Sequence, residues 1–196
     1  MKGVFILLIF LIITFLLNKF TDLKPLINYN DKFEYIPILT ANIYADLLII
    51  FVTFSGILYS KQNIISKWYK KYRLSAMIAD ILIGVLYLLL ARFIVYHFKL
   101  DVDLFKFTLL ALAIQIILDL TFYLFFSIIP KGHNHMLDFF KQYANEVGVN
   151  ALLGDSILVI VGVIISAFLN NKSFDYNIIM LILAIYIAPY LIYMND

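Results

Sequence analysis

Residues 74–97 read LSAMIADILIGVLYLLLARFIVYH, and this stretch decides the fold class. It is apolar almost from end to end, with Asp80 and Arg92 as its only Asp, Glu, Lys or Arg residues. At about 1.5 Å of rise per residue, a helix of this length covers the roughly 30 Å of a bilayer's hydrocarbon core. The apolar run is continuous. A membrane β-strand would alternate polar and apolar positions over about 10 residues, so the stretch reads as a helix.

Outward from it, comparable windows lie at about 3–18, 40–60, 104–129, 150–169 and 176–194. With 64% hydrophobic and 14% charged residues and a mean hydropathy of +0.95, the chain is far from the balance of a soluble domain. The expected fold is therefore all-α, a polytopic transmembrane bundle of about six spans forming a single membrane domain over 1–196. The window at 3–18 has no small-residue cleavage site at its end and reads as a retained anchor rather than a signal peptide. With no cysteine, the chain has no disulfide framework, thiolate metal site or cysteine nucleophile. A net charge of +2 gives no basis for nucleic-acid binding. No cofactor motif is present.

Orientation follows from the connectors. KQNIISKWYKKYR, residues 61–73, carries Lys61, Lys67, Lys70, Lys71 and Arg73 without an acid, and the positive-inside rule assigns it to the cytoplasm as a basic loop. Threading from there puts both termini on the cytoplasmic side. Lys67, Lys70, Lys71 and Arg73 are then placed to attract anionic lipids.

Ionisable side chains inside spans cost roughly 2.5–3.5 kcal/mol each on insertion scales, so each asks for a partner or a role. Five fall in the windows: Asp46, Asp80, Arg92, Asp119 and Asp155. From the window ends, Asp46 and Arg92 both lie roughly 7 Å below the outer boundary, which predicts a structural ion pair between them. Asp80, Asp119 and Asp155 lie roughly 8–14 Å above the cytoplasmic boundary on three different helices. If they converge, they form a site for protons or a small cation.

The stretch IPKGHNHMLDFFKQYANEVGVNALLGDS, residues 129–156, concentrates polar groups between two spans. Met136, Leu137, Phe140, Tyr143, Ala144 and Val147 form one apolar stripe, opposite Asp138, Lys141, Gln142, Asn145 and Glu146. This predicts an amphipathic helix at about 134–147, capped by Asn134 and stopped at Gly148, lying along the cytoplasmic interface. His133, His135, Asp138 and Glu146 are weak candidates for chemistry. Their spacing does not match H-E-x-x-H, so no metal site is expected. Gly154-Asp155-Ser156 has the start of the GDSL hydrolase motif, but it opens a span and lacks the accompanying Asp-x-x-His element. No catalytic residue is assigned.

SKWYKKYRLSAMIADILI (66–83) and DLTFYLFFSIIPKGHNHMLDFFKQYANEVGVNALLGDS (119–156) resemble an uncharacterised family of polytopic membrane proteins from large nucleocytoplasmic DNA viruses of algae and protists. The resemblance covers about half of the chain. It rests on Asp119, Pro130, Gly132, Asn134, Met136, Asp138, Tyr143, Glu146, Gly148, Gly154, Asp155 and Ser156. It implies a viral origin, with a virion inner membrane or a host endomembrane as the location, and implies no reaction. The expected function is a non-enzymatic integral membrane component, its partners being the bilayer with anionic lipids, a second copy of the chain, or capsid and membrane proteins. The alternative is a proton or cation channel or transporter using Asp80, Asp119 and Asp155. A third expectation, a lipid-modifying enzyme at the inner interface, would use His133, His135, Asp138, Glu146 and Asp155.

Overall fold

The computed structural model describes residues 2–56 and 64–194, and among these every regular element is helical. In chain order these are α1 (Lys2–Phe20), α2 (Tyr35–Ser55) behind a 3-10 turn at Lys32–Glu34, α3 (Ile64–Tyr72), α4 (Leu74–His97), α5 (Leu104–Ile128), α6 (His135–Val147), α7 (Asn150–Asn170) and α8 (Phe174–Ile192). All except α3 and α6 are long and apolar enough to cross a membrane, six in total. The six windows therefore each carry a long apolar helix.

Side-chain caps set several helix starts. Asp103 accepts from the Lys106 amide (2.8 Å) at α5, Ser173 from the Tyr176 amide (3.2 Å) at α8, and Asn134 from the Met136 and Leu137 amides at α6. The window expected at 40–60 is shifted. α2 begins at Tyr35 because Pro37 sits in its first turn, where a missing N–H costs nothing, and it stops at Gly56, whose φ of 74° turns the chain left-handed. Positions 57–63, which include Tyr59 and Lys61, lie outside the described residues.

The stretch read as a basic loop contains a helix. In α3, Ile64, Ile65, Trp68, Tyr69 and Tyr72 recur at helical spacing and turn inward, while Lys67, Lys70 and Lys71 are exposed. Counting charges hid this short apolar stripe.

Successive long helices run antiparallel. The start of α1 lies beside the start of α7, where Gly3 meets Leu153, and at the other end of α1 the Asn18 side chain accepts from the Leu104 amide (3.0 Å). Arg73, between α3 and α4, donates to the Ile192 carbonyl at the end of α8 (3.4 Å). The starts of α1 and α7, the end of α8, α3 and α6 thus share one end of the bundle, called here the lysine end.

α2 is the central helix, packed on α7, α8, α4 and α3, whereas α1 lies at the edge against α5 and α7. One core cluster gathers Leu88, Ala91, Leu104, Phe107, Val159 and Val163 toward the far end; a second gathers Phe54, Trp68, Tyr69, Met77, Phe139 and Ile192 at the lysine end. Midway, the fully buried Asn42 fits against Gly84 of α4 and Gly162 of α7.

Candidate functional site

α2, α4, α5 and α7 each bring one aspartate toward the lysine end, and three of the four accept hydrogen bonds from neutral side chains. Asp80, in the second turn of α4, accepts from the indole Nε1 of Trp68 (2.9 Å). Asp46 of α2 is fully buried and accepts from the Tyr69 hydroxyl at Oδ1 (2.7 Å), while its Oδ2 has no partner among the described residues. Both donors come from α3, and the Tyr69 hydroxyl also lies within range of Asp80. Burial first, and the neighbouring charges of Asp46 and Asp80 second, push the Tyr69 phenol well above its ordinary value. It therefore stays protonated and keeps donating.

Asp119 of α5 is held differently. The Tyr87 hydroxyl of α4 donates to its Oδ1 and Gln115, one turn earlier on α5, donates to its Oδ2. Gln115 is itself buried and accepts from the Ser156 hydroxyl of α7 (2.8 Å), which ties the two helices together. Asp155, next to Ser156, is exposed on the surface of the chain, and among the described residues no hydrogen bond reaches its carboxylate. It is close enough to Asp119 and Asp80 for their charges to interact, and Tyr87 lies within range of all three.

Asp155 thus lies within electrostatic range of Asp80 and Asp119, and Asp46 within range of Asp80. The predicted Asp46–Arg92 ion pair is not formed. Arg92 is fully buried at the far end, where Nη2 pairs with Glu34 Oε2 (2.8 Å) and donates to the carbonyls of Asn28 (2.6 Å) and Asp31 (3.3 Å). The reason is the helix boundary. With α2 starting at Tyr35, Asp46 lies about 16 Å along its axis, while Arg92 is only about 7 Å from the end of α4. Arg92 instead fastens the 21–34 connector onto the bundle.

The weak candidates of 129–156 do not assemble. His133 and His135 are exposed, Asp138 Oδ2 accepts from the Gly132 amide (2.9 Å), and Glu146 accepts from Gln142 (2.6 Å). Lys141 donates to the Ile129 carbonyl, so Asp138 and Lys141 brace the turn that precedes α6. Among the described residues no three His, Asp or Glu side chains are grouped to hold a metal. Lys67, Lys70 and Lys71 lie together on the outer face of α3, and Arg73 turns back onto the end of α8, its guanidinium 5.0 Å from the Tyr193 ring centre.

Sequence reasoning missed Glu34, Asn42, Trp68, Tyr69, Tyr87 and Gln115. A signal existed for three of them: Asn42 and Gln115 each precede a span aspartate by four residues, and Tyr87 follows Asp80 by seven, which is the spacing of one helix face. Comparison of the chain with protein-family models, with curated proteins and with solved structures returned no match.

Proposed function

We propose that the chain is a non-enzymatic multi-pass membrane protein, its lysine end in the cytoplasm, that takes up and passes protons or a small monovalent cation through the acidic layer. The observation that carries this reading is a chain of neighbouring acids from four helices, Asp46 beside Asp80 and Asp155 beside Asp80 and Asp119, of which Asp46, Asp80 and Asp119 accept from neutral donors, with the buried Arg92 committed to Glu34 elsewhere. Asp80 interacts with Asp46 and Asp155, and Asp155 with Asp119, with no Lys or Arg paired to them among the described residues; carboxylates so placed at membrane depth are costly to leave unshared, which favours protons as the shared species. The resemblance of 66–83 and 119–156 is the reason for proposing a viral or virus-remodelled membrane as its location.

Flux into proteoliposomes tests the reading. Wild type is expected to dissipate an imposed proton or monovalent-cation gradient, and Asp80→Asn, Asp119→Asn and Asp155→Asn are expected to slow it at least tenfold. No wild-type flux, or unchanged flux in every variant, ends it. A purely structural membrane component is the second reading, favoured by the fact that Asp46, Asp80 and Asp119 already hold local hydrogen bonds. It predicts no flux, with destabilisation in the same variants.

A further inference from the structure

α3 has two working faces. Its inner face carries the Trp68 and Tyr69 donors to Asp80 and Asp46, and its outer face carries Lys67, Lys70 and Lys71. Between α3 and α6 lies a shallow, open cleft of about 410 Å³ lined by Lys67, Lys70, Lys71, Phe139 and Gln142. Among the described residues no carboxylate lines it, although the Gln142 amide donates to Glu146 (2.6 Å) at its edge. Phe139 is buried and packs against Trp68, the ring centres 5.3 Å apart and the planes tilted by 30°, which makes the floor aromatic. The Lys71 ammonium lies 5.9 Å from the Phe139 ring centre.

Three ammonium groups around one small cleft repel one another, and an anion placed among them removes that repulsion. The cleft lies at the end of the bundle where α2, α4, α5 and α7 begin or finish, the depth at which lipid headgroups sit. Lysines supply charge to a phosphate, the second N–H of the Gln142 amide, whose first is held by Glu146, supplies a further donor, and the aromatic floor offers apolar contact to the glycerol and upper acyl carbons. A free phosphate ion would leave that apolar wall unused.

We propose that the α3–α6 cleft binds the headgroup of an anionic phospholipid, its phosphate held by Lys67, Lys70 and Lys71. The occupied cleft then clamps α3 against α6 and keeps the Trp68 and Tyr69 donors on Asp80 and Asp46. The inference rests on the membrane placement of the chain and stands apart from whether the acidic layer passes ions.

Trp68 is the single tryptophan of the chain and reports on the site directly. Full-length protein in phosphatidylcholine nanodiscs is titrated with an increasing fraction of phosphatidic acid while Trp68 emission is read. A saturable change is expected, its half-point weakened about fivefold for each lysine replaced by Gln, the equivalent of about 1 kcal/mol. Lys131→Gln, at the same end but outside the cleft, is expected to titrate as wild type does. Trp68 emission in pure phosphatidylcholine shows whether each variant keeps its fold, and the single variant Lys70→Gln serves where the triple variant does not. An unsaturable response, a Lys131→Gln effect as large as that of Lys70→Gln, or reproduction of the change by inorganic phosphate at matched ionic strength overturns the proposal. So does an absence of any change.

Discussion

Replacing Gly84 by Ala tests how the centre of the bundle is packed. An ideal Cβ at position 84 overlaps the Asn42 Oδ1 and stands 3.1 Å from Leu158 Cδ2 and 3.3 Å from Asn42 Cγ. The carboxamide has nowhere to go: it is fully buried, and Nδ2 is engaged with the Ile38 carbonyl at 2.8 Å. Overpacking of this kind costs about 1–3 kcal/mol. Displacing the Asn42 amide forfeits about 0.5–1.5 kcal/mol more. The better helix propensity of Ala returns about 1 kcal/mol. Gly84→Ala should therefore destabilise by about 1–3 kcal/mol. At Gly162 the nearest atom to an added Cβ is the same Oδ1 at 3.2 Å, which a shift of a few tenths of an ångström relieves. Gly162→Ala should stay within about 1 kcal/mol of wild type. Unfolding midpoints in mixed micelles, followed by helical ellipticity, measure both. The decisive arm is the double variant, because on an Asn42→Ala background the Gly84→Ala penalty should largely vanish, a coupling of about 1–3 kcal/mol. Gly84→Ala as stable as wild type, or a penalty undiminished without Asn42, would refute the reasoning.

Arg92→Met leaves the buried Glu34 without its partner and should cost about 3–5 kcal/mol, whereas Glu34→Gln should cost less because Arg92 keeps the Asn28 and Asp31 carbonyls. In a cycle of unfolding midpoints, Arg92→Met and Asp46→Asn should add within about 0.5 kcal/mol, since the two sites share no partner; a larger coupling would restore the Asp46–Arg92 pair. Asp138→Ala, which removes the acceptor of the Gly132 amide, should cost about 1 kcal/mol in the same assay, while His133→Ala and His135→Ala, both exposed, should stay within about 0.5 kcal/mol.

The long helices were legible because length and apolar continuity depend on the residues alone. Residues 74–97 fill α4 from end to end, and Asn134 and Gly148 bracket α6 as their cap chemistry dictates. Pairing across helices was less legible, because it depends on where each helix starts. A five-residue error at the start of α2 moved Asp46 by about 7 Å along the axis and matched it with the wrong partner. Charge also obscured pattern. Lysines drew attention away from the Ile64, Trp68 and Tyr69 stripe of α3, whose inner face supplies two donors to the acids. The depth of Asp80, Asp119 and Asp155 could be read from the span ends, while the rotation of each helix, which decides what each carboxylate meets, could not.

The layer divides by the origin of its donors. Asp119 is served from within the long helices, by Tyr87 of α4 and Gln115 of α5, so its bonds hold as long as α4 and α5 stay packed. Asp46 and Asp80 are served by Tyr69 and Trp68, neighbours on the nine-residue α3. Neighbouring positions on a helix are about 100° apart, so the two donors diverge to acids on two different helices, and a rotation of α3 by one residue withdraws both together. Tyr69 and Trp68 are in turn fixed by packing, Tyr69 against Phe54 of α2 and Trp68 against Phe139 and Phe140 of α6. The connection from α6 to Asp80 therefore passes through the two ring contacts of Trp68 and its one hydrogen bond, and reaches Asp46 only through Tyr69, the next residue of α3. Half of the acidic layer is thereby held from outside the six long helices, by a short helix whose other face presents three lysines to whatever lies beyond the end of the bundle.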